Sequence, residues 1–309
     1  MSGMGGQGAA DGPLQRAAAW LVRLERLDRR WVFLTMGLAV LVPILWIGLT
    51  GRTFPETPTP AAQAVFDQIE RLPEGSRVLF SFDYDPASAG ELQPMATSLL
   101  RHCAARKLKV VCMALWPLGS NMAERTIAQV IRQDFPDRRE GVDFANLGFQ
   151  AGNEGVMKVT LTDLRKAFPR DARGQSTQDL PILQGVRSVR DFPLLIVVGA
   201  GYPGCKEWVQ YVVTACGGSL KMVGGCTGVS APQLYPYFPA QLSGLLGAIK
   251  GAAEYESLVN SAMGGETPPK YLEAQRRMAP QLFGHLLMVG LIVLGNLIYA
   301  AGRIRRAAA

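Results

Sequence analysis

Residues 194–209 read LLIVVGAGYPGCKEWV. The stretch opens on five apolar residues, Leu194 to Val198. It then enters the loop Gly199-Ala200-Gly201-Tyr202-Pro203-Gly204 and leaves it through a helix-compatible segment from Cys205 to Ala215. A short apolar run bounded by turn residues, with no polar alternation, reads as a strand buried on both faces. Such strands belong to parallel sheets, where each is followed by a helix that covers the sheet.

The same unit recurs on either side. Arg77 to Phe82 (RVLFSF) reads as a first strand, followed by a helix over 87–107. Lys109 to Leu115 (KVVCMAL) reads as a second strand, with a helix over 121–134, and Val142 to Leu147 as a third. Residues 150–192 hold a short helix near 161–168 and a polar loop over 170–179. Leu194 to Val198 is then the fourth strand, Ser219 to Val223 the fifth, and Gln241 to Val259 a long closing helix. The expectation is an α/β domain over residues 77–263, built as a doubly wound, mainly parallel five-stranded Rossmann- or flavodoxin-like sandwich.

Two uncharged segments flank this domain. Trp31 to Thr50 (residues 31–50) and Leu282 to Ala301 (residues 282–301) are each long enough for a helix to cross a bilayer, which takes about 20 apolar residues. The first reads as an uncleaved anchor, because no small-x-small site follows it directly. A Pro-rich linker and lead-in helix fill 51–76, and a juxtamembrane linker fills 264–281. Leu14 to Arg30 has the spacing of a basic amphipathic helix lying on a membrane surface, within a cytoplasmic tail over 1–30.

The formal net charge of +7 is unevenly placed. Residues 1–30 carry +2, residues 302–309 carry +3, and the whole of 51–281 only +2. Arginines before the first span and after the second put both termini in the cytoplasm and the central domain outside it. No basic stripe remains on that domain, so nucleic acid is not an expected partner.

In open α/β sheets, ligands bind beyond the carboxyl ends of the strands. Gly199, Gly201 and Gly204 have the spacing of the dinucleotide-binding fingerprint, G-x-G-x-x-G. Three features oppose that use. The loop follows the fourth strand rather than the first; no acidic residue ends the fifth strand, which runs into Gly224-Gly225-Cys226-Thr227; and an extracytoplasmic domain has no ready supply of NAD. No NAD is expected, and the loop reads as a tight turn beside a helix N-terminus that could hold a small anionic ligand, with Thr227 in the neighbouring loop.

Asp83-Tyr84-Asp85 follows the first strand. It resembles the first motif of haloacid-dehalogenase-like phosphatases, in which paired aspartates act as nucleophile and general acid beside a metal. The resemblance covers a handful of residues, and the later motifs do not match, since the second strand ends in Leu115-Trp116-Pro117 and the fourth in Gly199-Ala200-Gly201. Asp83 and Asp85 could ligate a divalent cation; the alternative is an Asx turn leading into the next helix. Cys205 and Cys226 could form a disulfide outside the cytoplasm. His102, the only histidine of the central domain, is expected on a helix surface among Arg101 and Arg106, so Cys–His and Ser–His–Asp mechanisms are not expected. Gly244, Gly247 and Gly251 form a small-residue face on the closing helix suited to close packing, either with a partner or with the sheet that the helix covers. His285 and Asn296 share one face of the second span and are expected to meet the first span or another protein.

These features point to a non-enzymatic, membrane-anchored subunit of a cell-envelope assembly, whose α/β domain contacts other proteins. Its partners would be membrane lipid and other membrane or envelope proteins, a second copy of the chain among them. No cofactor is required. The alternatives are an extracytoplasmic ligand-binding or sensing domain, and a metal-dependent hydrolase using Asp83 and Asp85.

Overall fold

The computed structural model describes residues 20–21, 28–54 and 56–308, with side chains to residue 303. The expected amphipathic helix over 14–30 lies largely outside these residues. The chain divides into two compact units, Phe54–Met278 and a second made of residues 1–53 with 279–309.

The larger unit is a single parallel sheet with helices on both faces. Its strands are β1 (Arg77–Asp83), β2 (Lys109–Ala114), β3 (Phe144–Phe149), β4 (Leu194–Gly199), β5 (Lys221–Cys226) and β6 (Gly244–Gly247). Their order is β3-β2-β1-β4-β5-β6, and every pairing is parallel. This is the Rossmann-type order, with its reversal between β1 and β4, rather than the flavodoxin order.

Alternate side chains of each central strand enter two separate cores, which is why the strands read as unbroken apolar runs. Phe80, Phe82, Ile196 and Val198 pack with α2 (Pro60–Glu70) and α3 (Ala89–Ala105) on one face. They share that face with α4 (Gly119–Ile127), which continues through a π turn over Ala128–Arg132. On the other face, Leu79, Val111, Leu195 and Val197 pack with α5 (Asn153–Thr160), α6 (Leu164–Ala167) and α7 (Cys205–Glu207). From α7 the chain runs on through a π turn, Trp208–Val213. The short α8 (Ala231–Leu234) joins this second face, and α9 (Ala248–Met263) the first.

The sixth strand corrects the expectation of five. GLLG (244–247) pairs with β5 through Val223↔Gly244 to Cys226↔Gly247, and α9 starts only at Ala248. The small residues expected to line a helix face are used for close packing inside the unit. A Cβ on Gly244 would stand 2.6 Å from the Val65 backbone nitrogen, and one on Gly251 would stand 2.9 Å from the Leu246 backbone. Glycine lets α2 lie close over β6, and lets α9 fold back on the strand it follows.

The smaller unit holds α1 (Arg29–Thr50) and most of α10 (Glu273–Ala308). Asp28 caps the start of α1 by accepting from the Arg30 N–H at 2.9 Å, and Gly51 ends it in the left-handed conformation, with φ 68°. The apolar windows of α1 and α10 have mean hydropathies of 2.4 and 2.0. Both are long and apolar enough to cross a membrane, and only 11% and 0% of the residues in those windows are buried. A core helix of a soluble domain would bury such residues, whereas Leu41, Val42, Leu45, Leu286 and Ile292 are exposed here. The helical segment before the second span is longer than expected, because α10 begins at Glu273, inside the segment read as a linker over 264–281.

Candidate functional site at the carboxyl rim of the sheet

The carboxyl ends of β1 and β4 lie side by side at the reversal point, and Asp83 ends β1 there. Its side chain is fully buried and accepts three hydrogen bonds. Oδ1 takes the Leu115 N–H at 2.8 Å; Oδ2 takes the Ser81 hydroxyl at 2.7 Å and the Trp208 Nε1–H at 2.8 Å. The donors come from the chain after β2, from β1 itself and from the helix after β4, so one carboxylate ties three elements together. Burial nevertheless outweighs these donors and raises its pKa to about 6, with the nearby Glu207 charge adding a little.

Asp85, the second candidate ligand for a divalent cation, is half-buried and takes the alternative role, the turn into the next helix. Its Oδ1 accepts the N–H groups of Ala87 and Ser88 at 3.1 and 3.3 Å, an Asx turn leading into α3. Among the described residues, no group of three or more His, Cys, Asp or Glu side chains could hold a metal ion. Asp83 therefore presents its oxygens to N–H and O–H donors, the opposite of what a cation requires.

The glycine loop folds onto itself. A Cβ on Gly204 would meet the Gly201 carbonyl oxygen at 2.3 Å, and one on Gly199 would approach the Gly204 Cα to 3.1 Å. Gly199 and Gly204 are thus required by close backbone approach, and at Gly201 a Cβ would meet only the Trp116 ring, at 3.8 Å. At the helix start, where a phosphate would seek free amide groups, the Gly204 N–H is donated to Glu207 Oε2 at 2.9 Å. A buried carboxylate occupies the anion position, and it would repel a diphosphate.

Beside this turn lies a cavity of about 190 Å³ between the loops after β4 and β5, lined by Gly199, Tyr202, Lys206, Glu207, Ser230 and Gln233 among others. Cys205 and Cys226 also line it as free, buried thiols, not as a disulfide. Burial pushes the Cys226 thiol to about 12 and Cys205 well above its ordinary value, so both are held protonated and poorly nucleophilic. Cys205 packs over Gly224, whose added Cβ would stand 3.1 Å from its sulfur.

Neighbouring loops are laced along the rim. Trp116 Nε1–H donates to the Pro203 carbonyl at 2.7 Å, and the Tyr202 hydroxyl donates to Glu154. Thr227 and Ser230 hydroxyls reach the Ala200 carbonyl at 3.5 and 3.2 Å, and the Gly228 N–H donates to Glu91 at 2.8 Å. Thr227 thus serves its own loop and its neighbour.

His102 corrects the expectation of a surface position. It is 3% exposed, with Nδ1 2.7 Å from the Tyr255 hydroxyl and Nε2 2.8 Å from Glu70, and it stacks on Phe66. It joins α2, α3 and α9. Burial lowers its pKa, against the pull of Glu70. The spacing of apolar residues in α3 would have revealed this only with the covering helices in hand.

Two glutamates of α9 also escaped sequence reasoning. Glu254 Oε2 accepts the N–H and hydroxyl of Thr59 at 3.1 and 2.7 Å, and Glu256 accepts the N–H groups of Ala274 and Gln275, both at 3.0 Å. Thr59 starts α2, and the second pair starts α10, so one helix holds the chain both where it comes into the unit and where it leaves. In α10, Asn296 Nδ2 donates to the Ile292 carbonyl of its own helix at 2.9 Å, and both Asn296 and His285 are exposed. A Cβ on Gly284 would stand 3.7 Å from Val40 of α1.

Comparison with family models, curated proteins and solved structures finds no match.

Proposed function

We propose that this chain is a non-enzymatic, two-pass membrane subunit of a cell-envelope assembly, with its α/β domain held outside the cytoplasm for contact with other proteins. The observation that carries this reading is how the polar groups are used at the rim where ligands of such folds bind. Asp83 is engaged with three donors, Glu207 with the glycine loop, and Asp85 with a turn. A rim laced to itself suits a rigid scaffold more than a reactive centre. The two spans supply anchorage, the flanking arginines favour cytoplasmic termini, and exposed His285 and Asn296 offer polar contacts to a neighbouring helix.

Native mass measurement of the detergent-extracted chain, with crosslinking in intact membranes, tests this reading. It predicts co-purifying partners or defined multiples of the chain; a lone monomer with no crosslinked neighbour overturns it. The cavity of about 190 Å³ favours a second reading, an extracytoplasmic ligand-binding or sensing domain for a small solute held by Lys206, Ser230 and Gln233. That reading predicts a rise in melting temperature with at least one small anion or polar solute, and the loss of that rise on Lys206→Ala.

A further inference from the structure

Both chain connections meet the α/β unit at the carboxyl rim. The far end of α2 lies at the opposite, amino rim, because Glu70 there bonds His102, close to the end of α3. Its start at Thr59 therefore points to the carboxyl rim, and Glu56, before it, lies within electrostatic reach of Lys250 near the start of α9. The other connection follows the same path. Tyr271 lies under Arg101 in the later half of α3, and Arg277, six residues on, donates to the Gly90 carbonyl in the first turn of α3. The chain enters and leaves the unit beyond the carboxyl ends of the strands.

The same rim collects exposed apolar surface. Of the large apolar side chains exposed among described residues 56–278, Leu118, Phe149, Tyr202, Val229 and Tyr235 lie there, and Tyr211 and Met263 elsewhere. Val229, 86% exposed, and Tyr235 belong to a stretch, Met222 to Ile249, without a single charged residue. The nearby carboxylates of Glu91, Glu154 and Glu207 are turned onto the Gly228 N–H, the Tyr202 hydroxyl and the Gly204 N–H. The segment Met222–Ile249, uncharged and carrying tyrosines, matches the chemistry of the bilayer interface, with Lys206 and Lys250 beside it as cationic neighbours of the headgroups.

We infer that the carboxyl rim rests against the lipid surface, with Val229 and Tyr235 in the interfacial layer. This rests on α1 and α10 being membrane spans, and the test separates the two claims. Spin labels are placed singly by Val229→Cys on the rim, Glu74→Cys on the amino rim and Leu41→Cys within α1. The full chain is then reconstituted in phosphatidylcholine–phosphatidylglycerol vesicles. Collision with oxygen, which concentrates in lipid, is compared with collision with a water-soluble nickel chelate. The proposal predicts that the Val229 label favours oxygen several-fold over the Glu74 label, approaching the Leu41 label. If Val229 behaves like Glu74 while Leu41 favours oxygen, the rim proposal is overturned and the spans stand. If the Leu41 label favours nickel, both are overturned. A Val229 label shielded from both reagents means that protein covers the rim, which also overturns the proposal.

Discussion

Asp83 is shut away from water, yet its donors come from three elements, and both facts shape its titration. Burial raises Asp83 from 3.8 to about 6, and Glu256 from 4.5 to about 7. An acid whose folded pKa exceeds its unfolded one holds its proton more tightly in the fold. Its ionisation then costs stability: nothing below the unfolded value, a growing amount between the two values, and the full amount above the folded one. For Asp83 the full cost is roughly 3 kcal/mol. Thermal melts of the full chain in detergent should therefore show a lower Tm at pH 8 than at pH 5, and Asp83→Asn should flatten the change between pH 4 and 6. An Asp83→Asn profile that runs parallel to that of the native chain over this range contradicts the assignment. The sequence marks Asp83 as unusual by placing a carboxylate at the end of an apolar strand. It does not disclose the donors, because Trp208 lies 125 residues away and meets Asp83 only after β4 has paired with β1.

The five longer strands of the sheet, β1 to β5, are legible because burial on both faces demands unbroken apolar runs, from RVLFSF to LLIVV. The short strand β6 is not. Leu242, Leu245, Leu246, Ile249 and Ala253 recur at helical spacing, and four residues are too few to show a strand's own pattern. Pairing with β5 and the close cover of α2 decide the matter. Gly244→Ala should therefore lower stability by about 1–3 kcal/mol, because the new methyl meets the Val65 backbone rather than a movable side chain. A denaturant midpoint equal to that of the native chain would refute this packing. At the start of α10, Glu256→Ala leaves the Ala274 and Gln275 N–H groups without their acceptor. A loss of about 1–2 kcal/mol is expected, as for other helix caps, with faster hydrogen exchange confined to that first turn. Unchanged exchange over 273–276 would show that the cap carries no weight.

At the scale of the molecule, the chain is an α/β unit joined at both ends to helices whose apolar side chains lie open. The two long apolar helices were readable from length and composition alone, since what a bilayer demands of a crossing helix falls on the local sequence. The self-bonded rim was not readable, because its bonds join loops that the sheet brings together from across the chain. The central claim is that this unit lies outside the cytoplasm while both termini lie within it. The most direct measurement labels intact cells with a membrane-impermeant maleimide, using Arg173→Cys in the unit and Ser2→Cys in the tail. Native cysteines should stay silent, as all five are buried. The account predicts that Arg173→Cys reacts in intact cells and Ser2→Cys only after permeabilisation. Labelling of Ser2→Cys in intact cells, with Arg173→Cys protected until the membrane is opened, would contradict it.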